Sequence, residues 1–136
     1  AVRAVVEEFL VRVGEGDAGR IAELFAKEVD WMVAPNPTVP WIRPRSTRAD
    51  VAAHFRELAA GMEPIGANGR AVEALVVEGD EAMLTGNIAG RVRATGKEFT
   101  TPFALRLTVR DGKLTRYHLY EDSLAVAAAC ASAATD

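Results

Sequence analysis

The sequence predicts an α+β domain in which N-terminal helices cover one face of a curved antiparallel sheet. Three observations carry that expectation. Apolar residues recur at helical spacing through the first half of the chain, and β-rich segments separated by short turn signals fill the second half. No linker or internal repeat divides the 136 residues, a length suited to one core.

Val2, Val5, Val6, Phe9, Leu10 and Val13 share one helical face, and Gly14 and Gly16 end the pattern. Asp17 can cap a short second helix carrying Ile21, Leu24 and Phe25, after which Val29 to Val33 is rich enough in β-formers for a strand. The stretch APNPTVPWIRP has four prolines and must be a loop. Trp31 and Trp41 flank it and are costly to leave in water, so they should fold back onto the core or a pocket rim. Thr47 with Asp50 resembles a capping box, and Val51, Phe55, Leu58 and Met62 mark the buried face of a third helix.

Strands are expected at 70–78, 82–93, 98–109 and 113–122, with turns at Glu78-Gly79-Asp80, Thr95-Gly96 and Asp111-Gly112. That is an antiparallel meander. The Ala-rich SLAVAAACASAA reads as a final helix capped by Asp122 or Ser123 and fraying toward Asp136.

Composition removes several function classes. Hydrophobic residues at 49% and charged residues at 26% are ordinary globular proportions, and no apolar run approaches the roughly 20 residues that span a bilayer, so no membrane is expected. A net charge of −3 argues against nucleic acid as a partner; Arg43, Arg45 and Arg48 are read as a solvated loop. The single Cys130 permits no intrachain disulfide and is expected as a free thiol in a reducing, cytoplasmic compartment; AVRAVVEEFL lacks the layout of a secretory signal. Two histidines without a cysteine cluster argue against a metal, the glycines mark turns rather than a phosphate loop, and no cofactor is expected.

The opening helix ending GEGD, then LFAKEVDW, NPTVPW, ADVAAHFREL and the closing run RATGKEFTTPFALRLTVRDGKLTRYHLYEDSLAVAAA cover nearly the whole chain. In these segments the chain resembles the SnoaL-like branch of the nuclear transport factor 2 (NTF2-like) superfamily. The resemblance implies a cone with an internal cavity for a small hydrophobic molecule, and a homodimer formed through the outer face of the sheet. The fold hosts isomerases, cyclases, hydrolases and proteins without catalysis, so it does not choose among them. It does turn residues that are core by default into candidate pocket walls: Phe9, Trp31, Val33, Trp41, Phe55, Phe103 and Tyr117, with His54, Asn87, Thr101 and Leu119 beside them.

Ketosteroid isomerase, a relative, uses an aspartate base and an oxyanion hole of a tyrosine and a protonated aspartate. By alignment the tyrosine falls on Phe9, the base on Val33 and the protonated aspartate on Phe103. None of these can move a proton or stabilise an enolate, which argues against that reaction by those residues. The last-strand acid of the epoxide hydrolase and cyclase relatives aligns with Leu119, and the hydrolase's arginine and second aspartate fall near Thr85 and Asn87.

Which last-strand residues face the cavity depends on the turn at Asp111-Gly112. A two-residue turn puts Arg116, His118, Tyr120 and Asp122 on the face of Phe103, Leu105 and Leu107. A three-residue loop, Arg110 to Gly112, puts Thr115, Tyr117, Leu119 and Glu121 there instead. The second is preferred, because the first buries an arginine, a histidine and an aspartate against apolar neighbours. Glu121 then points inward with Thr101 opposite, where burial would raise its pKa and suit it to acid–base work. The alternative leaves Glu121 at a wet strand end. His54, at the edge of the third helix's apolar stripe, is read as a boundary histidine able to tip toward cavity or solvent, and His118 as an outer-face residue near Arg106 and Tyr120. Two functional readings stay open: a cofactor-independent cyclase, isomerase or hydrolase with Glu121 as its acid–base group, or a non-catalytic module that binds a ligand or dimerises.

Overall fold

The computed structural model describes residues 1–66 and 70–132. Helix α1 spans Val2–Glu15 and stops at Gly16, whose φ of +79° is a left-handed value that glycine adopts without a Cβ penalty. The Asp17 carboxylate accepts the Arg20 backbone N–H at 3.1 Å and starts α2, Ala18–Ala22. Strand β1 follows at Phe25–Val33. Its first residues, AKE, lack strand patterning, which is why only Val29 onward was expected. Pairing supplies what the pattern lacks: the Leu114 N–H donates to the Leu24 carbonyl at 2.8 Å, and the Val29 N–H donates to Ser46.

After the proline-rich loop, the Thr47 hydroxyl accepts from the Asp50 N–H at 3.2 Å and the Asp50 carboxylate takes the Thr47 N–H at 3.0 Å. This capping box opens α3, Arg48–Gly61, which buries Val51, Ala52, His54 and Phe55. Met62, expected at the end of the helical face, instead begins a short strand, β2, Met62–Pro64. Strands β3 (Arg70–Glu78), β4 (Glu81–Val92), β5 (Glu98–Arg110) and β6 (Lys113–Glu121) form the expected meander. Asp122 caps the closing helix α4, Ser123–Cys130; the fraying expected toward Asp136 falls outside the described residues.

The sheet order is β1-β6-β5-β4-β2, with β3 also on β4, and β1 runs parallel to β6 while the other pairs are antiparallel. The result is an α+β fold with a strongly curled sheet whose concave side faces the N-terminal helices. Val6, Phe9, Phe25, Val51, Phe55, Leu84 and Leu107 fill the space between them. A second cluster of Val39, Trp41, Val92, Phe99, Val126 and Ala129 ties the proline-rich loop and α4 to the far end of the sheet. Trp41 is 5% exposed, so the loop is anchored by burying its aromatic residue.

The β5–β6 hairpin corrects one expectation while keeping its consequence. Arg110 pairs with Lys113 across a two-residue turn in which Asp111 and Gly112 both have positive φ, +52° and +75°, not across the three-residue loop. The pairing then shifts: Val109 opposes Leu114, but Thr108 opposes Arg116. Thr115 is therefore an extra residue in β6, a β-bulge. That residue restores the alternation that the turn alone would have reversed. Leu105 faces Leu119, Leu107 faces Tyr117, and Phe103 rather than Thr101 lies opposite Glu121.

The basic cluster is also not the solvated loop expected. The Arg45 side chain is 5% exposed and pairs with Glu57 at 3.1 Å, and Arg48 Nε donates to the Phe25 carbonyl at 2.8 Å. Only Arg43 of the three stands largely in solvent, reaching Glu57 from outside. No helix among the described residues is long and apolar enough to cross a membrane.

Candidate functional site

Between α1, α3 and the concave side of the sheet lies a cavity of about 230 Å³. The helices present Phe9, Leu10, His54, Phe55 and Leu58; the sheet presents Leu84, Ile88, Phe103, Leu105, Tyr117 and Leu119; Trp41 comes from the loop. Alternation along β4, β5 and β6 aims these side chains inward, so the same pattern that makes the strands amphipathic makes the walls apolar. Phe9, Val33 and Phe103 all line the cavity. These three positions, which the resemblance aligned with the isomerase's acid–base residues, are hydrocarbon here.

The polar groups in these walls are few. Glu121 ends β6 with its carboxylate toward the cavity, half-buried and with no hydrogen-bond partner among the described residues. Burial, and secondarily the charge of the neighbouring Asp122, push its pKa above the usual carboxylate range. A second cavity of about 180 Å³ on the Met32–Ala34 side shares Val33, Ile42, Leu119 and Glu121 with the first, so the carboxyl group sits where the two meet. Arg93 reaches the opposite rim, where its Nε donates to the Ala59 carbonyl at 3.2 Å.

His54 is not a boundary residue: it is 4% exposed and lines the cavity from α3. Its Nδ1 lies 3.2 Å from the Trp41 carbonyl, and its ring meets Trp31 edge-on at 4.8 Å and Phe55 at 4.9 Å. Burial lowers its pKa from 6.5 to about 4, against a weaker upward pull from the bond to Trp41. The ring is therefore neutral at physiological pH. The amphipathic stripe placed His54 at its edge, but the returning loop, invisible to helical periodicity, closes over it.

Three residues expected in the wall do not line the cavity. Asn87 alternates with the inward Leu84, Gly86 and Ile88 and faces out, donating to Glu73 at 2.8 Å. Thr101 is fully buried, but its hydroxyl turns to backbone, donating to the Pro102 carbonyl and accepting the Asp122 N–H. Trp31 opposes Tyr117 across the β1–β6 ladder and stacks on it, with ring centroids 4.1 Å apart. It packs beside the wall on the same face, between Tyr117 and the His54 ring. Ile88 and Phe99 do line it and were missed, although their inward parity with Leu84 and Phe103 was a usable signal; nothing in the pattern pointed to Arg93. Among the described residues, no group of three or more His, Cys, Asp or Glu side chains could hold a metal ion.

The family model for the SnoaL-like domain matches residues 6–117. The chain belongs to the SnoaL-like family. No curated protein matches it. Among solved structures, an NTF2-like protein from Burkholderia xenovorans is 23% identical, with a TM-score of 0.81 over 96% of this chain and 95% of that one. A protein with a ketosteroid isomerase-like fold from Catenulispora acidiphila, in complex with trimethylamine, is 15% identical, with a TM-score of 0.76 over 95% and 93%. A candidate SnoaL-like polyketide cyclase from Mesorhizobium loti is 21% identical, with a TM-score of 0.68 over 88% and 98%. At these identities the likenesses speak to the fold. Within this SnoaL-like fold, the titratable groups lining the cavity among the described residues are Glu121, His54, Tyr117 and Arg93.

The burial of His54 has a measurable consequence. Its pKa is lowered in the fold, so between 6.5 and about 4 the unfolded chain binds a proton that the folded chain refuses, and stability falls as pH falls through that window. At about 1.4 kcal/mol per pH unit the loss comes to about 3 kcal/mol. Denaturant unfolding of the wild type and His54→Gln across the window should show this extra loss in the wild type alone; parallel pH profiles would contradict it.

Proposed function

We propose that the cavity takes a small hydrophobic metabolite and that Glu121 acts on it as the acid–base group of a cofactor-independent isomerisation, cyclisation or hydrolysis. The observation that carries this reading is a carboxyl group without a partner among the described residues, its pKa raised by burial, at the edge of an apolar cavity. A carboxyl poised nearer neutrality can hold its proton for donation and accept one from a carbon or a water without a large mismatch in acidity. The apolar walls exclude water and hold the ligand, and Glu121 then moves a proton between positions on it. A different SnoaL-like chemistry from that of the ketosteroid isomerases follows, since no second acid stands at Phe9, Val33 or Phe103.

The hydrocarbon at those three positions favours a second reading, a non-catalytic binding module. Glu121→Gln separates the two. The exchange preserves shape and removes the titrating proton, so on a panel of small cyclic enones, hydroxyketones and epoxides it should cut turnover by roughly 10²–10⁴-fold while leaving binding intact. Turnover unchanged by the exchange would remove Glu121 from the chemistry.

The outer face of the sheet belongs to the same proposal as the surface through which two copies pair. Val76, Met83 and Tyr120 are exposed at 62%, 38% and 51%, beside Arg106 and His118, a mixture of aromatic, apolar and charged groups that suits an interface. Light scattering at micromolar concentration should report a dimer, and a monomer throughout that range would contradict it.

A further inference from the structure

His54 carries information about the ligand that the apolar walls do not. The Trp41 carbonyl oxygen can only accept, so the ring nitrogen 3.2 Å from it, Nδ1, must be the one that bears hydrogen. A neutral imidazole has one such proton. Nε2 is therefore a bare lone pair, and it has no hydrogen-bond partner among the described residues. The low pKa agrees with a neutral ring, and the bond to the Trp41 carbonyl selects its tautomer.

The ring has little freedom to turn. Trp31 and Phe55 meet it edge-on from two sides, at interplanar angles of 65° and 82°. The carbonyl that orients it is itself held, since Arg45 donates to the same Trp41 oxygen at 3.2 Å and is fixed by Glu57, one turn beyond His54 on α3. A pinned carbonyl, an oriented ring and an unpaired acceptor together make a built recognition point on the helix wall, across the cavity from the sheet that carries Glu121.

We propose that His54 Nε2 is the specificity-determining hydrogen-bond acceptor of the cavity, and that the ligand is a hydroxylated ring, a phenol or cyclic enol or alcohol, which donates its O–H there. The proposal rests on the reading of the cavity as a site for a small hydrophobic molecule. Size limits the ring: an apolar cavity of about 150 Å³ accepts benzene, so about 230 Å³ accommodates roughly nine or ten non-hydrogen atoms. Discrimination follows from the lone pair that a bound ligand would cover. A ligand without a donor leaves Nε2 desolvated and unpaired, whereas a ligand with one satisfies it, and this asymmetry separates substrates more strongly than an added methyl group does. With the hydroxyl held at the helix wall, the rest of the ring is presented toward Glu121.

The test uses p-cresol and p-xylene, near-isosteres in which one hydroxyl replaces one methyl group. Binding of each to the wild type, to His54→Gln and to His54→Leu is measured by calorimetry, and the His54 nitrogen signals are followed by NMR in the wild type. The wild type should bind p-cresol at least about tenfold more tightly than p-xylene. His54→Gln, which keeps an acceptor near the same place, should retain part of that preference, and His54→Leu should lose it. In the wild type the Nε2 signal should start in the unprotonated range and move with p-cresol but not with p-xylene. Equal affinity for the two probes, a preference that survives in His54→Leu, or a protonated Nε2 overturns the role of His54 while leaving the cavity reading standing. Failure of both probes to bind the wild type overturns the cavity reading as well.

Discussion

The extra residue at Thr115 governs what the cavity contains. The tight turn at Asp111 and Gly112 would by itself carry Arg116, His118 and Tyr120 to the concave side. Inserting Thr115 between Leu114 and Arg116 moves the rest of β6 by one residue relative to β5, so Tyr117, Leu119 and Glu121 face inward and the charged residues face out. A bulge also strengthens local twist, and it lies where β1 departs from regular pairing between Phe25 and Asp30. The apolar lining of the cavity and the orientation of the acid thus share one local cause.

The outward residues show what the register protects against. Asp30 accepts from His118 Nε2 and Arg116 Nε at 2.9 Å each, and Glu81 accepts from Arg106 Nε and the Thr108 hydroxyl at 2.7 Å each. The bonds from His118 and then Arg116 hold the Asp30 carboxyl below its usual range. Four strands are laced together across the convex face, where partly hydrated charges are cheap to pair. Inside, where an unpaired charge is expensive, Glu121 escapes the cost by favouring its neutral form and His54 by refusing a proton. The same solvation physics yields paired ions outside and shifted acidities inside.

Much of this was legible in the chain. Asp17, Thr47 with Asp50, and Asp122 announce helix starts because a cap acts within a few residues, and the Gly-containing turns announce the hairpins for the same reason. The inward set Phe103, Tyr117, Leu119 and Glu121 followed from burial cost alone, even though the turn proposed to produce it was not the turn the protein uses. What local sequence does not carry is long-range closure. The first residues of β1 are held by distant partners, Leu114 beside Phe25 and Ser46 and Thr47 beside Val29 and Glu28, and His54 is buried because Trp41 and its loop return over α3. Asn87 was placed by alignment rather than by strand parity, and parity decided.

In this SnoaL-like scaffold the cavity wall at Phe9, Val33 and Phe103 is hydrocarbon, and a carboxyl at a strand end is left with its pKa raised and no hydrogen-bond partner among the described residues. Whether that carboxyl is inward and desolvated is the point on which the rest turns. A carbon-13 NMR titration of the glutamate side-chain carboxyls, with Glu121 assigned by the signal lost in Glu121→Gln, measures it directly. The fold described here requires a midpoint above the ordinary glutamate range. A midpoint at or below that range would place Glu121 in water and contradict both its orientation and its proposed part in the chemistry.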